Sequence, residues 1–71
     1  GTRTAYVLYN DGLESYLSPE GKPVPYRDLA AVFTSVDEAT AAAPSGLWYP
    51  VSVLVHTGRD GRIIDIEPWE D

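Results

Sequence analysis

Seventy-one residues without a cysteine leave room for one domain at most, and exclude a disulfide framework or a thiolate metal site. Eleven acidic residues against five basic ones give a formal charge of -6. The cations Arg3, Lys22, Arg27, Arg59 and Arg62 are scattered, so the basic cluster that direct nucleic-acid binding needs is missing. The acidity serves solubility first; it also fits a mimic that occupies a partner's nucleic-acid site. No apolar run approaches the roughly 18 residues of a membrane span, and no basic, apolar secretory leader is present. The expected setting is therefore away from the membrane. At about 0.05–0.15 kcal/mol per residue, a chain of this length reaches a stability of about 4–10 kcal/mol.

The first element is "TAYVLY", residues 4–9, a strand rich in aromatic and branched side chains. Asn10, Asp11 and Gly12 suit a three-residue hairpin loop with Gly12 in the left-handed position. Pairing Tyr9 with Leu13 would put Ala5, Val7 and Tyr9 on one face with Leu13, Ser15 and Leu17. Tyr6 and Tyr16 would then share the other face with Leu8. A two-residue turn reverses that parity and is the disfavoured alternative. Residues 18–25, "SPEGKPVP", read as a loop because prolines and glycine suit neither a helix nor a central strand.

"AAVF", residues 30–33, is read as a short strand ending at Phe33, a core candidate. Ser35-Val36-Asp37-Glu38 is a capping box, in which Ser35 accepts from the Glu38 amide and Glu38 reaches back. The helix it starts must stop near Pro44 and would turn Val36, Ala39 and Ala43 toward a sheet.

"VSVLVHTGRDGRIIDIE", residues 51–67, alternates apolar and polar around Asp60-Gly61, a two-residue hairpin signal. Folding there pairs Val53 with Pro68, Val55 with Ile66 and Thr57 with Ile64, and sets the branched residues on one face. On the other face His56 falls opposite Asp65, and Leu54 opposite Glu67. A three-residue loop would mix the faces. His56 with Asp65 is then a structural cross-strand pair of the kind worth roughly 0.2–1 kcal/mol. It resembles half of a catalytic triad, but Ser52 on the same strand lies roughly 13 Å away at 3.3 Å per residue, and no cysteine exists. One histidine with scattered acids is poor material for a metal site, and no phosphate cradle or calcium loop is spelled out. No catalytic residue, metal or cofactor is expected.

The aromatic residues carry the functional signal. Tyr6, Tyr16, Trp48, Tyr49 and Trp69, with the acids Glu67, Glu70 and Asp71, are the candidate binding residues, since exposed tyrosine and tryptophan patches mark protein interfaces. Residues 67–71 form an acidic, tryptophan-bearing tail, either free to move or folded back on the sheet edge.

Ala30, Phe33, Ser35, Glu38 and Ala39 spell Ala-x-x-Phe-x-Ser-x-x-Glu-Ala within residues 30–39. This resembles the strand-to-helix junction of small phage and prophage proteins of unknown function. The resemblance implies a small ββαβ-type fold and a phage setting, hence the cytoplasm of a bacterial host, and carries over no catalytic residue. The chain as a whole is expected to be a single α+β domain, with a mainly antiparallel sheet of four or five strands and one short helix on a face (ββαββ-like). Its leading function is a non-enzymatic protein-binding module acting on a basic or nucleic-acid-binding host protein, as a host-takeover or anti-defence factor. The alternatives are self-association into a homodimer by strand-edge pairing, and a small hydrolase built on His56 and Asp65.

Overall fold

The structure, a computed structural model, describes residues 1–69. Strands β1 (Thr2–Asn10), β2 (Ser15–Leu17), β3 (Pro23–Val24), β4 (Tyr49–Thr57) and β5 (Ile63–Pro68) form one antiparallel sheet in the order β3-β2-β1-β4-β5. A 3-10 turn at Arg27–Leu29 and a single helix, α1 (Val36–Ala42), lie between β3 and β4. The α+β class, the antiparallel sheet and the one short helix agree with the sequence pattern. Along the chain, three strands precede the helix and two follow it.

The sheet is covered on both faces, which explains why neighbouring residues Val7 and Leu8 on β1 are both fully buried. On one face Ala5, Val7, Val53, Val55 and Ile66 pack with Ala30, flanked by Tyr16, Val32 and Val51. On the other, Leu8, Leu17 and Ala39 pack with Tyr6, Phe33, Ala43 and Trp48. Phe33 enters as an isolated bridge: its amide donates to the Tyr6 carbonyl at 2.8 Å and its carbonyl accepts from the Tyr6 amide at 2.9 Å. The "AAVF" segment is thus reduced to a bridge lying along β1.

Helix α1 begins where its cap predicts. Ser35 Oγ accepts from the Glu38 amide at 3.0 Å. The reciprocal half differs, because the Glu38 carboxylate accepts from the Thr34 hydroxyl at 2.7 Å. Ala39 is fully buried and Ala43 partly so, whereas Val36 is exposed and plays no part in the buried stripe. The proline loop also holds a strand. Ser18, 3% exposed, donates its amide to the Lys22 carbonyl at 2.8 Å and accepts the Lys22 amide on Oγ at 3.1 Å. This tight turn sends Pro23 and Val24 back along Leu17 and Tyr16 as an edge strand, a position where proline's missing N–H costs no ladder bond.

Both hairpin loops differ from their predicted forms. In the first, Tyr9 faces Tyr16 and Asn10 faces Ser15, so the loop has four residues and not three. Asn10 Oδ1 accepts the Leu13 amide at 3.0 Å, and the left-handed residue is Glu14, with φ 49°, rather than Gly12. The parity is that of the disfavoured two-residue turn. Leu17 joins Leu8 beneath α1, Leu13 is exposed, and Tyr6 and Tyr16 stand on opposite faces.

In the second hairpin the Gly58 amide donates to the Arg62 carbonyl, and Gly61 takes the left-handed position with φ 81°. The loop is therefore the three-residue kind that the pattern disfavours. A bulge between His56 and Thr57 absorbs the extra residue and restores the faces. Val53 with Pro68, Leu54 with Glu67, Val55 with Ile66 and His56 with Asp65 pair as predicted, while Thr57 pairs with Ile63. Ile64, expected on the buried face, is 70% exposed.

Candidate functional site

Two clusters stand out, at opposite ends of the sheet and on opposite faces. The first is aromatic. Tyr9 ends β1, Tyr16 lies on β2 and Tyr49 opens β4; the register sets Tyr9 between the other two. Its ring centroid lies 4.9 Å from that of Tyr16 and 6.0 Å from that of Tyr49, the latter edge-on. Both separations are those at which aromatic pairs attract beyond their buried area. The Arg27 guanidinium lies 5.7 Å from the Tyr16 ring centroid and caps the outer ring by a cation–π contact.

Acids border the rings. A hydrogen bond to the Asp11 carboxylate, followed by partial desolvation, raises the Tyr49 phenol above its ordinary 10.0. Desolvation, then the charge of Asp11, raises that of Tyr9. Tyr49 keeps 41% of its surface in water, and Tyr9 and Tyr16 are half-buried.

The second cluster is polar. On the face that carries α1, beyond the end of the helix, one row of the sheet reads Thr2, His56, Asp65 across β1, β4 and β5. Thr2 Oγ1 lies 3.1 Å from His56 Nδ1, and Glu67 Oε1 lies 3.4 Å from His56 Nε2. The register pairs His56 with Asp65, but its close carboxylate contact is with Glu67, one step diagonally along β5. His56 Nε2 is shielded from solvent and makes no hydrogen bond among the described residues; the Glu67 oxygen is near it but not aligned for one. A hydroxyl, an imidazole and a carboxylate in series is also the order of an acyl-transfer relay. Here the hydroxyl is that of Thr2, on the neighbouring strand.

The other expected binding residues separate. Tyr6 and Trp48 pack into the core beneath α1. Glu67 belongs to β5 and to the His56 cluster. Trp69, 47% exposed, donates its amide to the Ser52 carbonyl at 3.4 Å, which holds the start of the tail against β4. Glu70 and Asp71 lie outside the described residues. Tyr9 and Thr2, central to the two clusters, carry no local sequence signal. Their roles depend on register, which an alternate loop length would have changed.

Comparison of the chain with protein-family models, with characterised proteins and with solved structures finds no match. Among the described residues, no helix is long and apolar enough to cross a membrane.

Proposed function

We propose that this protein is a non-enzymatic protein-binding module whose contact surface is the tyrosine cluster Tyr9, Tyr16 and Tyr49 with Asp11 and Glu14 at its border. The observation that carries this reading is a row of three tyrosines, with Tyr9 in ring contact with both others, that stays partly open to water. Tyrosines held in place by one another lose little rotamer freedom on binding, and they offer both ring faces and hydroxyls to a partner. The bordering acids and the overall charge of -6 favour a basic partner, such as a host protein that binds nucleic acid. The resemblance of residues 30–39 to phage proteins gives that partner a setting, host takeover or evasion of host defence.

The test is a pull-down from bacterial lysate at low and moderate salt, read by mass spectrometry, with a Tyr16→Ala/Tyr49→Ala double variant alongside. The expected result is one dominant basic partner, weakened by salt and lost with the variant. Retention of the same partner by the double variant would move the contact surface elsewhere.

A second reading, self-association, is favoured by the edge strand β5. Ile63 is 44% exposed and Ile64 70% exposed beside its outer edge. An apolar edge strand is a template for pairing with another chain. Light scattering across a concentration series tests it, with Ile64→Lys expected to abolish any dimer.

A further inference from the structure

We propose that His56, Asp65 and Glu67 form a binding site for a divalent transition ion of the zinc type. One ligand atom from each residue can be chosen so that all three lie within 4.8 Å of one another. The donor set is one imidazole and two carboxylates, a combination suited to zinc. Ligands at roughly 2.0–2.1 Å from a tetrahedral ion stand roughly 3.3 Å apart. The observed 3.4 Å from His56 Nε2 to Glu67 Oε1 already matches one edge of that tetrahedron. Asp65 is exposed, so its side chain turns inward without disturbing the core. Three protein ligands leave the fourth position to water or to a group on another molecule.

Two features separate this cluster from a chance gathering of surface charge. The Nε2 atom is withdrawn from water yet makes no hydrogen bond among the described residues, and its nearest carboxylate oxygen, Glu67 Oε1, stands 3.4 Å away. Nδ1 has a partner, the Thr2 hydroxyl at 3.1 Å. Histidines that bind metal through one ring nitrogen characteristically hydrogen-bond through the other, which fixes the tautomer and the ring plane. A proton on Nδ1, donated to Thr2 Oγ1, leaves Nε2 free to coordinate. The ion also neutralises two carboxylates that the sheet register forces together on one strand, where Asp65 and Glu67 share a face at i and i+2.

The test uses the tag-free chain titrated with zinc chloride, followed by calorimetry and by NMR of the histidine ring. His56 is the only histidine, so its ring signals need no assignment. The expected result is one equivalent of zinc, with the His56 ring signals shifting in step with the heat, and no shift from magnesium at the same concentration. Asp65→Asn and Glu67→Gln should each weaken binding at least tenfold, and His56→Ala should remove the step. Thr2→Val, which leaves all three ligands intact, should weaken binding by roughly 10–100-fold through loss of ring orientation. Amide spectra of the variants verify that each retains the fold. His56 signals that stay in place at millimolar zinc overturn the proposal. So does an unchanged affinity in the Asp65→Asn/Glu67→Gln double variant, which would mean zinc held by imidazole alone or elsewhere on the chain.

Discussion

Replacing Leu17 and Leu13 separately by alanine tests the register on which the tyrosine cluster depends. Leu17 is 5% exposed and packs with Leu8 and Ala39 beneath α1; Leu13, in the four-residue loop, is 55% exposed. Truncating a buried leucine costs about 2–5 kcal/mol, depending on how far the site collapses. Leu17 lies near an edge of the sheet, where α1 and the proline loop can close in, so about 3 kcal/mol is the reasonable value. For a domain of this size that lowers Tm by roughly 12–24 °C and removes a large share of a total near 4–10 kcal/mol. Leu13→Ala should cost no more than about 0.5 kcal/mol, as surface substitutions usually do. Urea unfolding followed by tryptophan fluorescence gives both values, with unchanged slopes showing that the denatured state is unaffected. In the three-residue register Leu13 and Leu17 share one face and lose comparable stability. Equal losses would therefore refute the pairing of Tyr9 with Tyr16, and with it the packed tyrosine surface.

Glu14→Asn should raise Tm by a few degrees, because asparagine tolerates the left-handed conformation that Glu14 is forced to adopt at φ 49°; a lower Tm would show that the Glu14 side chain stabilises the loop. Ser35→Ala should cost about 1 kcal/mol by freeing the Glu38 amide, and Ser35→Gly less, as measured by chemical denaturation. Stability should fall above about pH 10, because the raised Tyr9 and Tyr49 phenols hold their protons longer in the folded state than in the unfolded chain, where they titrate near 10.0. The tyrosine contribution is whole below that pH and is lost as pH rises through the folded-state values. Urea midpoints between pH 9 and 11.5 should show the decline, and Asp11→Ala should flatten it.

The parts of the fold that follow from local chemistry are legible in the sequence. The cap at Ser35, the stop at Pro44 and the alternation in β4 each depend on residues close together in the chain, and the structure bears each of them out. The pairing of His56 with Asp65 survives a wrong loop because the bulge cancels the error. The N-terminal hairpin has no such compensation. Its loop length turns on whether Asn10 captures the Leu13 amide, an interaction of one side chain that apolar alternation does not encode. That choice decides whether Tyr16 meets Tyr6 or Tyr9, so the aromatic cluster is beyond local reading. The contact of His56 with Thr2 spans 54 residues of sequence and follows only from placing β1 beside β4.

One geometric cause accounts for the polar cluster's position. Helix α1 has seven residues and reaches about 10 Å at 1.5 Å per residue, whereas the nine residues of β1 span roughly 30 Å. The helix therefore covers the Leu8 end of its face and leaves the Thr2 end bare. A bare sheet face has to be polar to stay in water, which requires side chains such as Thr2, His56, Asp65 and Glu67 there. Being polar does not require an imidazole nitrogen withdrawn from water, and that excess over the demands of solubility is what points to a ligand. The tyrosines gather at the other end of β1, seven residues from Thr2 and roughly 23 Å away at 3.3 Å per residue. Over such a distance, with no shared side chain, the energetic effects of substitutions in the two clusters should add. Loss of zinc binding in Glu67→Gln thus leaves the tyrosine surface able to bind its partner. Conversely, a partner lost on Tyr16→Ala/Tyr49→Ala says nothing against the ion site.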